Sequence, residues 1–249
     1  MQKELEKNFD RVAINNSYND FAKIQKDSAQ SLIEMFYHFT NHEEKIHIKK
    51  ILDIGTGTGF IPEILLKKHP NSFYFLNDIS KEMLKIASLK FHNKNYSLIH
   101  GDIEKIILKD SYDLIISNFS FQWMEDLKKL IKFFIENKKT KHLIFTTLVD
   151  NTFQEIKKIF QKYQIQTIEY LSSEELDYFI KSQNIIHFFS QKKTYNLNFE
   201  NFYQYAQYIK NIGANFTKNK TSNLKTIIQY ENSSIHLNYE VYFCYLKIF

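Results

Sequence analysis

Residues 51–59 read ILDIGTGTG. A short apolar run, interrupted only by Asp53, stops at Gly55, and Gly57 and Gly59 follow at alternate positions. This predicts a buried strand ending in a tight turn, with a helix opening just beyond it. Such a turn lets backbone approach a ligand closely and aims helix N–H groups at it. The whole chain holds only 5 glycines, so clustering three of them here is not an effect of composition. Position 60 is Phe, so the loop misses the G-x-G-x-x-G dinucleotide pattern by one residue. It carries no Lys-Ser or Lys-Thr pair either, so it is not a P-loop.

Outward from the loop, strands and helices alternate. IPEILLKKH (61–69) predicts a helix with Pro62 in its first turn, where proline is tolerated. SFYFLND (72–78) predicts a second strand, and SKEMLKIASLKFH (80–92) a second helix with Ser80 as its N-cap. YSLIHGD predicts a third strand, YDLIISN (112–118) a fourth, MEDLKKLIKFFIEN the next helix and KHLIFTTLV (141–149) a fifth strand. The alternation implies a mostly parallel sheet with helices on both faces. Upstream, Leu32, Ile33, Phe36 and Phe39 share a helical face, so residues 1–40 are expected to be helical.

Beyond Asp150 the pattern changes. Helices are expected at 152–163 and 173–183, a long alternating strand at 185–197, and an aromatic helix at 199–212 stopped by Gly213. The last stretch, HLNYEVYFCYLKIF (236–249), alternates like an edge-paired strand. Two late strands around a helical insertion suggest an antiparallel pair at one sheet edge, with the insertion covering the site. The expected layout is a single domain of 249 residues, with an N-terminal helical cap (1–45), a cofactor-binding core (46–150) and a substrate lid with the last strands (151–249).

Composition bounds the function. The chain is 43% hydrophobic and 16% aromatic, which suits a packed core rather than disorder. No apolar run reaches the ~20 residues of a membrane span, and the charged start MQKELEKNFDR is unlike a secretory signal. Cytoplasmic location and no membrane partner are the expectations. The lone Cys244 excludes an internal disulfide and a Cys-built metal site. The nine His show no ligand spacing, and no metal is expected. Net charge is +5, and every basic residue except Arg11 is lysine, so the excess first describes a solvated surface.

Asp78 closes the second strand about 20 residues past the loop, where a carboxylate accepts ribose hydroxyls in nucleotide-binding sheets. Asp102, after the third strand, is placed to accept from an adenine amino group, with Ile79 and Ile103 able to sandwich the ring. Either Asp alone is equally a loop carboxylate or a helix cap. Taken with the loop, they point to a nucleoside.

These elements resemble the class I methyltransferases: LDIGTGTG their first motif, LND their acidic second-strand motif, HGDIE their adenine-contact motif. Residues 9–35 (FDRVAINNSYNDFAKIQKDSAQSLIEM), SNFSFQW (117–123), FTTLV (145–149), IGANFT (212–217) and NYEVYF (238–243) resemble, in order, the malonyl-acyl-carrier-protein O-methyltransferases of biotin synthesis. The resemblance implies a Rossmann-like seven-stranded sheet with an antiparallel last strand and a helical lid before it. It implies S-adenosylmethionine as cofactor, S-adenosylhomocysteine as product, and methylation of the free carboxylate of a malonyl thioester on an acyl carrier protein. The expected cofactor contacts are Asp53, Gly55, Thr56, Gly57, Gly59, Asp78, Ile79, Met83, Asp102, Ile103 and Asn118. Candidates at the catalytic centre are Tyr18, Gln122, Trp123, Asn215 and Arg11. Trp123 is equally a core aromatic, and Arg11 equally a surface ion-pair partner.

Lys192, Lys193, Lys218, Lys220 and Lys225 lie in or beside the expected lid and could face an acidic carrier. A monomer is expected. Another small carboxylic acid or a quinone precursor is the alternative acceptor. Nucleic acid is not expected, because SNFSFQW lacks the prolines of exocyclic-amine methyltransferases and Cys244 sits in a late strand.

Overall fold

Ile51, Leu52 and Ile54 on β1 (Lys50–Ile54) are fully buried, as expected of a central parallel strand covered on both faces. The computed structural model describes residues 2–15, 17–40, 47–91, 95–214, 227 and 233–249. β1 pairs in parallel with β2 (Phe73–Asp78) on one side and β4 (Tyr112–Ser117) on the other. β3 (Tyr96–His100) extends the sheet beyond β2, and β5 (Thr140–Leu148) extends it beyond β4. The full order is β3-β2-β1-β4-β5-β7-β6. The chain therefore reverses direction across the sheet between β1 and β4, the switch point where open α/β sheets hold ligands at their strand carboxyl ends.

β6 (His187–Phe199) and β7 (Ile235–Lys247) form the expected late pair. β7 runs antiparallel between β5 and β6, from Leu148↔Val241 to His142↔Lys247 on one side and along all of β6 on the other. Its period-2 pattern feeds both cores. Leu237, Tyr239, Val241, Phe243 and Tyr245 face one side, and Tyr242, Cys244 and Leu246 the other. β6 is the outer strand and remains half exposed.

Helices cover both faces. α3 (Lys23–Thr40), α4 (Phe60–Lys68), α7 (Gln154–Lys162) and α9 (Phe202–Asn211) supply Phe36, Leu65, Phe160 and Phe202 to one core. α6 (Leu127–Glu136) and α8 (Ser173–Lys181) supply Ile131, Phe134, Leu176 and Ile180 to the other. α9 lies between β6 and β7, the place expected for the helical insertion, and stops at Gly213 with φ +71°.

α5 (Lys81–Ser88) is capped by Ser80, whose hydroxyl accepts from Met83 N at 3.1 Å. It is shorter than expected, tightening into a 3-10 turn over Leu89–Phe91. The helix expected from Met124 begins instead at Leu127. Phe121–Trp123 forms a 3-10 turn, Met124 is extended, and Asp126 caps α6 through Lys129 N. The N-terminal helical stretch is broken into α1 (Gln2–Ile14), α2 (Tyr18–Phe21) and α3. α1 packs on α5, with Val12 and Ala13 against Met83. Among the described residues, no helix is long and apolar enough to cross a membrane.

Candidate active site

Gly55, Gly57 and Gly59 all adopt positive φ, at +68°, +54° and +85°, a region costly for residues with a Cβ. Gly55 also packs against the turn that follows β4: a Cβ there would stand 2.3 Å from the Ser120 side chain. A Cβ on Gly57 would meet nothing within 4 Å. The loop is clamped to the end of β2 by Thr56 N donating to Asn77 O at 2.9 Å and Gly57 N donating to Asp78 Oδ2 at 2.8 Å.

Asp78 Oδ1 accepts from Ser80 N at 2.8 Å, so each carboxylate oxygen is oriented by one backbone donor. Burial nevertheless raises its pKa to about 6, against those two backbone bonds, with the charge of Asp10 adding to the rise. Asp53, just before the loop, is 1% exposed, and neither carboxylate oxygen finds a hydrogen-bond partner. Burial raises its pKa to about 7, opposed by nearby Thr56 and reinforced by Asp78. The buried Thr56 hydroxyl is likewise unpartnered. Asp102 accepts from Glu104 N at 3.1 Å and from Lys105 Nζ at 2.8 Å.

Gly55, Gly57, Asp78 and Asp102 border a cavity at this end of the sheet. Of the expected cofactor set, Gly55, Gly57, Asp78, Ile79, Met83, Asp102, Ile103 and Asn118 line it. Asp53, Thr56 and Gly59 do not; Gly59 caps α4 and faces Ala87 of α5. Among the described residues, the charged side chains lining it are Asp78 and Asp102, so the cavity favours a cation-bearing ligand. Leu5 and Phe9 of α1 close it from above.

A second, smaller cavity shares Phe9, Tyr18, Phe119 and Trp123 with the first and adds Gln25, Gln122, Leu148 and Tyr239. No charged side chain lines it among the described residues. Tyr18 stacks on Phe60 at 6.1 Å, and its hydroxyl makes no hydrogen bond to a described residue. Burial, then Asp78 and Tyr208, push its hydroxyl above the ordinary tyrosine range, so it stays a proton donor. Trp123 meets Phe9 edge-on at 6.3 Å. Gln122 Nε2 donates to Phe119 O at 2.9 Å, leaving a buried, unpartnered Oε1.

Arg11 lies apart from both cavities: its guanidinium donates to Lys210 O at 3.3 Å, tying α1 to the end of α9. Asn215, Lys218, Lys220 and Lys225 fall outside the described residues. Lys192 pairs with Glu174 at 3.6 Å and Lys193 with Asp27 at 2.8 Å. The Asn118 side chain is committed inward, accepting from Thr146 Oγ1 and donating to Gln25 O. Sequence reasoning missed Phe9, Gln25 and Phe119. Phe119 carries the unusual φ of +54°, which nothing in its type announces. Gln25 does leave a trace, a polar residue beside Ile24 on the buried face of α3.

The strand order, the glycine loop at the switch point and the carboxylates closing β2 and β3 define a class I S-adenosylmethionine-dependent methyltransferase. A family model described as a methyltransferase domain matches residues 52–134. Malonyl-[acyl-carrier protein] O-methyltransferase 2 of Ilyobacter polytropus is 31% identical over 238 residues, covering 90% of this chain and 88% of that protein. The chain belongs to the malonyl-[acyl-carrier protein] O-methyltransferase family.

Other relatives of that name match over less. The protein of Priestia megaterium is 38% identical over 61% of this chain, and that of Bacillus cytotoxicus 35% identical over 64%. The match spans about half, 54%, of each of those two proteins. Among solved structures, the plantazolicin methyltransferase BpumL with S-adenosylhomocysteine has a TM-score of 0.56 at 16% identity, covering 99% of this chain and 97% of its own. A Haemonchus contortus methyltransferase acting on a phosphoethanolamine compound, bound to phosphomonomethylethanolamine and S-adenosylhomocysteine, has a TM-score of 0.59 at 15% identity, covering 98% and 60%. At these identities the two share the fold.

Proposed function

We propose that the protein transfers the methyl group of S-adenosylmethionine to the free carboxylate of a malonyl thioester carried by an acyl carrier protein. The observation that carries this reading is the near full-length relation to the Ilyobacter polytropus protein of that name. A cavity with no charged lining among the described residues, sharing four wall residues with an acidic one, supports it.

The residues present fit the cofactor. Asp78 would take ribose hydroxyls, and Ile79, Ile103 and Asp102 the adenine. The open side of Gly57 leaves room for close approach. The unpartnered Asp53 and Thr56 behind the loop would serve the amino-acid end, through water or a small loop shift. When bound, the cofactor supplies an electrophilic methyl group on a positively charged sulfur.

The protein's own residues are left with orientation and exclusion of water. A carboxylate with pKa ~4 is already ionised at neutral pH, so no general base is required. Phe9, Phe119 and Trp123 wall off the junction of the two cavities, which strengthens electrostatic attraction there. Tyr18 keeps its proton and can hold the acceptor oxygen in line. The ester formed would be neutral at that end, so a carrier-bound malonyl group would pass for an ordinary acyl chain at the start of pimeloyl assembly.

Methyl transfer from labelled cofactor to malonyl carrier protein tests the reading, with malonyl coenzyme A and acetyl carrier protein alongside. Label on malonyl but not acetyl carrier protein is expected. Cofactor binding without label on either malonyl thioester would overturn the acceptor and leave the class intact.

A further inference from the structure

Gln25 is only 6% exposed, yet its side-chain amide is unspent. Oε1 is buried without a partner, and Nε2 bonds to no described residue. Native interiors rarely leave a side-chain amide so unmet, and its Nε2 is a donor with nothing to bond among the described residues. The amide borders the uncharged cavity beside Tyr18, Gln122 and Trp123.

Its backbone, by contrast, is held firmly. Asn118 Nδ2 donates to Gln25 O at 2.8 Å, and the Ser28 hydroxyl lies 3.0 Å from the same oxygen. Asn118 Oδ1 in turn accepts from Ser28 Oγ at 2.8 Å and Thr146 Oγ1 at 2.9 Å. Thr146 Oγ1 also accepts from Phe119 N at 2.9 Å, fixing the neighbouring wall of the cavity. Three segments far apart in sequence, on α3, after β4 and on β5, thus meet at one asparagine. What they position together is Gln25 and Phe119.

We propose that Gln25 is a specificity-determining residue whose side-chain Nε2 donates to the acceptor carboxylate, held in place by the Asn118–Ser28–Thr146 network. This rests on the reading of the acceptor as a carboxylate. The physical case is one of charge. In the reaction the carboxylate oxygen forms a bond to the methyl carbon while the carbon–sulfur bond breaks and its electron pair returns to sulfur. An anion and a cation thus become two neutral groups. A lysine or arginine beside the carboxylate would stabilise the separated charges more than the transition state, and so raise the barrier. Neutral donors lose less as the charge disappears. Gln25, Tyr18 and Trp123 provide them, and the cavity has no cation among its described lining.

Trp123 is the only tryptophan and borders both cavities, so its fluorescence reports occupancy directly. Protein loaded with S-adenosylhomocysteine is titrated with malonyl-N-acetylcysteamine, a carrier-free malonyl thioester, and methyl transfer to malonyl carrier protein is measured in parallel. For Gln25→Leu, roughly 10–100-fold weaker thioester binding and a raised KM are expected, with S-adenosylhomocysteine affinity unchanged by calorimetry. For Gln25→Glu, activity should be lowest at pH 7.5 and recover toward pH 5 as the introduced carboxyl is protonated. A merely structural role would produce no such profile. If the unaltered protein transfers methyl to malonyl carrier protein and Gln25→Leu matches it in KM and thioester affinity, the assignment of Gln25 is overturned alone. If the unaltered protein labels no malonyl thioester, the acceptor reading fails and this assignment with it.

Discussion

Asp53 and Asp78 have their pKa values raised by burial, to about 7 and about 6. In the unfolded chain each would titrate near ~4. The folded state therefore holds protons that the unfolded state releases between these limits, and stability falls as pH rises from about 4 to about 7. Without ligand, Asp53→Asn should raise Tm at pH 7.5, by about 2–4 °C for each kcal/mol relieved, and change it little at pH 4. The same substitution should weaken S-adenosylmethionine binding about tenfold or more; scanning calorimetry and titration calorimetry read the two effects. Asp78→Ala should remove measurable cofactor binding, because it takes away both the ribose acceptor and the anchor of Gly57 N. Unchanged affinity would refute the ribose role. Asp78 was legible in the sequence because a strand end after a glycine loop has a defined place in this architecture. Gln25 was not. Its burial and orientation depend on Asn118, ninety-three positions away, and nothing local to the helix signals that partner.

The glycine loop and the turn after β4 meet at Gly55, and here two substitutions that look alike should part ways. Gly55→Ala meets both a positive φ and a 2.3 Å approach to Ser120. It should cost roughly 2–5 kcal/mol of stability, measured by urea unfolding. Gly57→Ala meets strain alone, about 1–2 kcal/mol. Its methyl group would project into open space beside the cofactor cavity, so its larger effect should appear in cofactor affinity. Strands and helices were legible where periodicity is strong, as along β7, whose alternating residues divide between the two cores. The stretch from Phe121 to Leu127 was not. A 3-10 turn and an extended residue precede α6 there, and tertiary packing of Phe121 and Trp123 overrides the apparent helical run. Nor could the sequence reveal that β7 lies inside the sheet and β6 outside it, since either order gives two alternating strands.

Across the whole molecule, α1 bridges parts that are otherwise separate. Ser80 Oγ at the start of α5 donates to Asp10 Oδ1 at 2.6 Å, and Arg11 reaches the carbonyl of Lys210 at the end of α9. Just N-terminal to these anchors, Leu5 and Phe9 roof the cofactor cavity. A cofactor entering beneath this roof would have to lift the helix. Hydrogen exchange should show α1 amides poorly protected without ligand and slowed by S-adenosylhomocysteine, with β1 and β4 protected in both states. Equal protection of α1 in the two states would show that the cavity is entered another way. The α/β architecture was legible because each strand and helix announces itself locally. The closure by α1 was not, because it is made by contacts with α5 and α9 that only the folded chain brings together.

Phe9 stands in the walls of both cavities, so one roof serves two tenants. On the proposed reaction, nucleoside and acceptor would lean on the same side chain, so trimming Phe9 to alanine should loosen both lodgings at once.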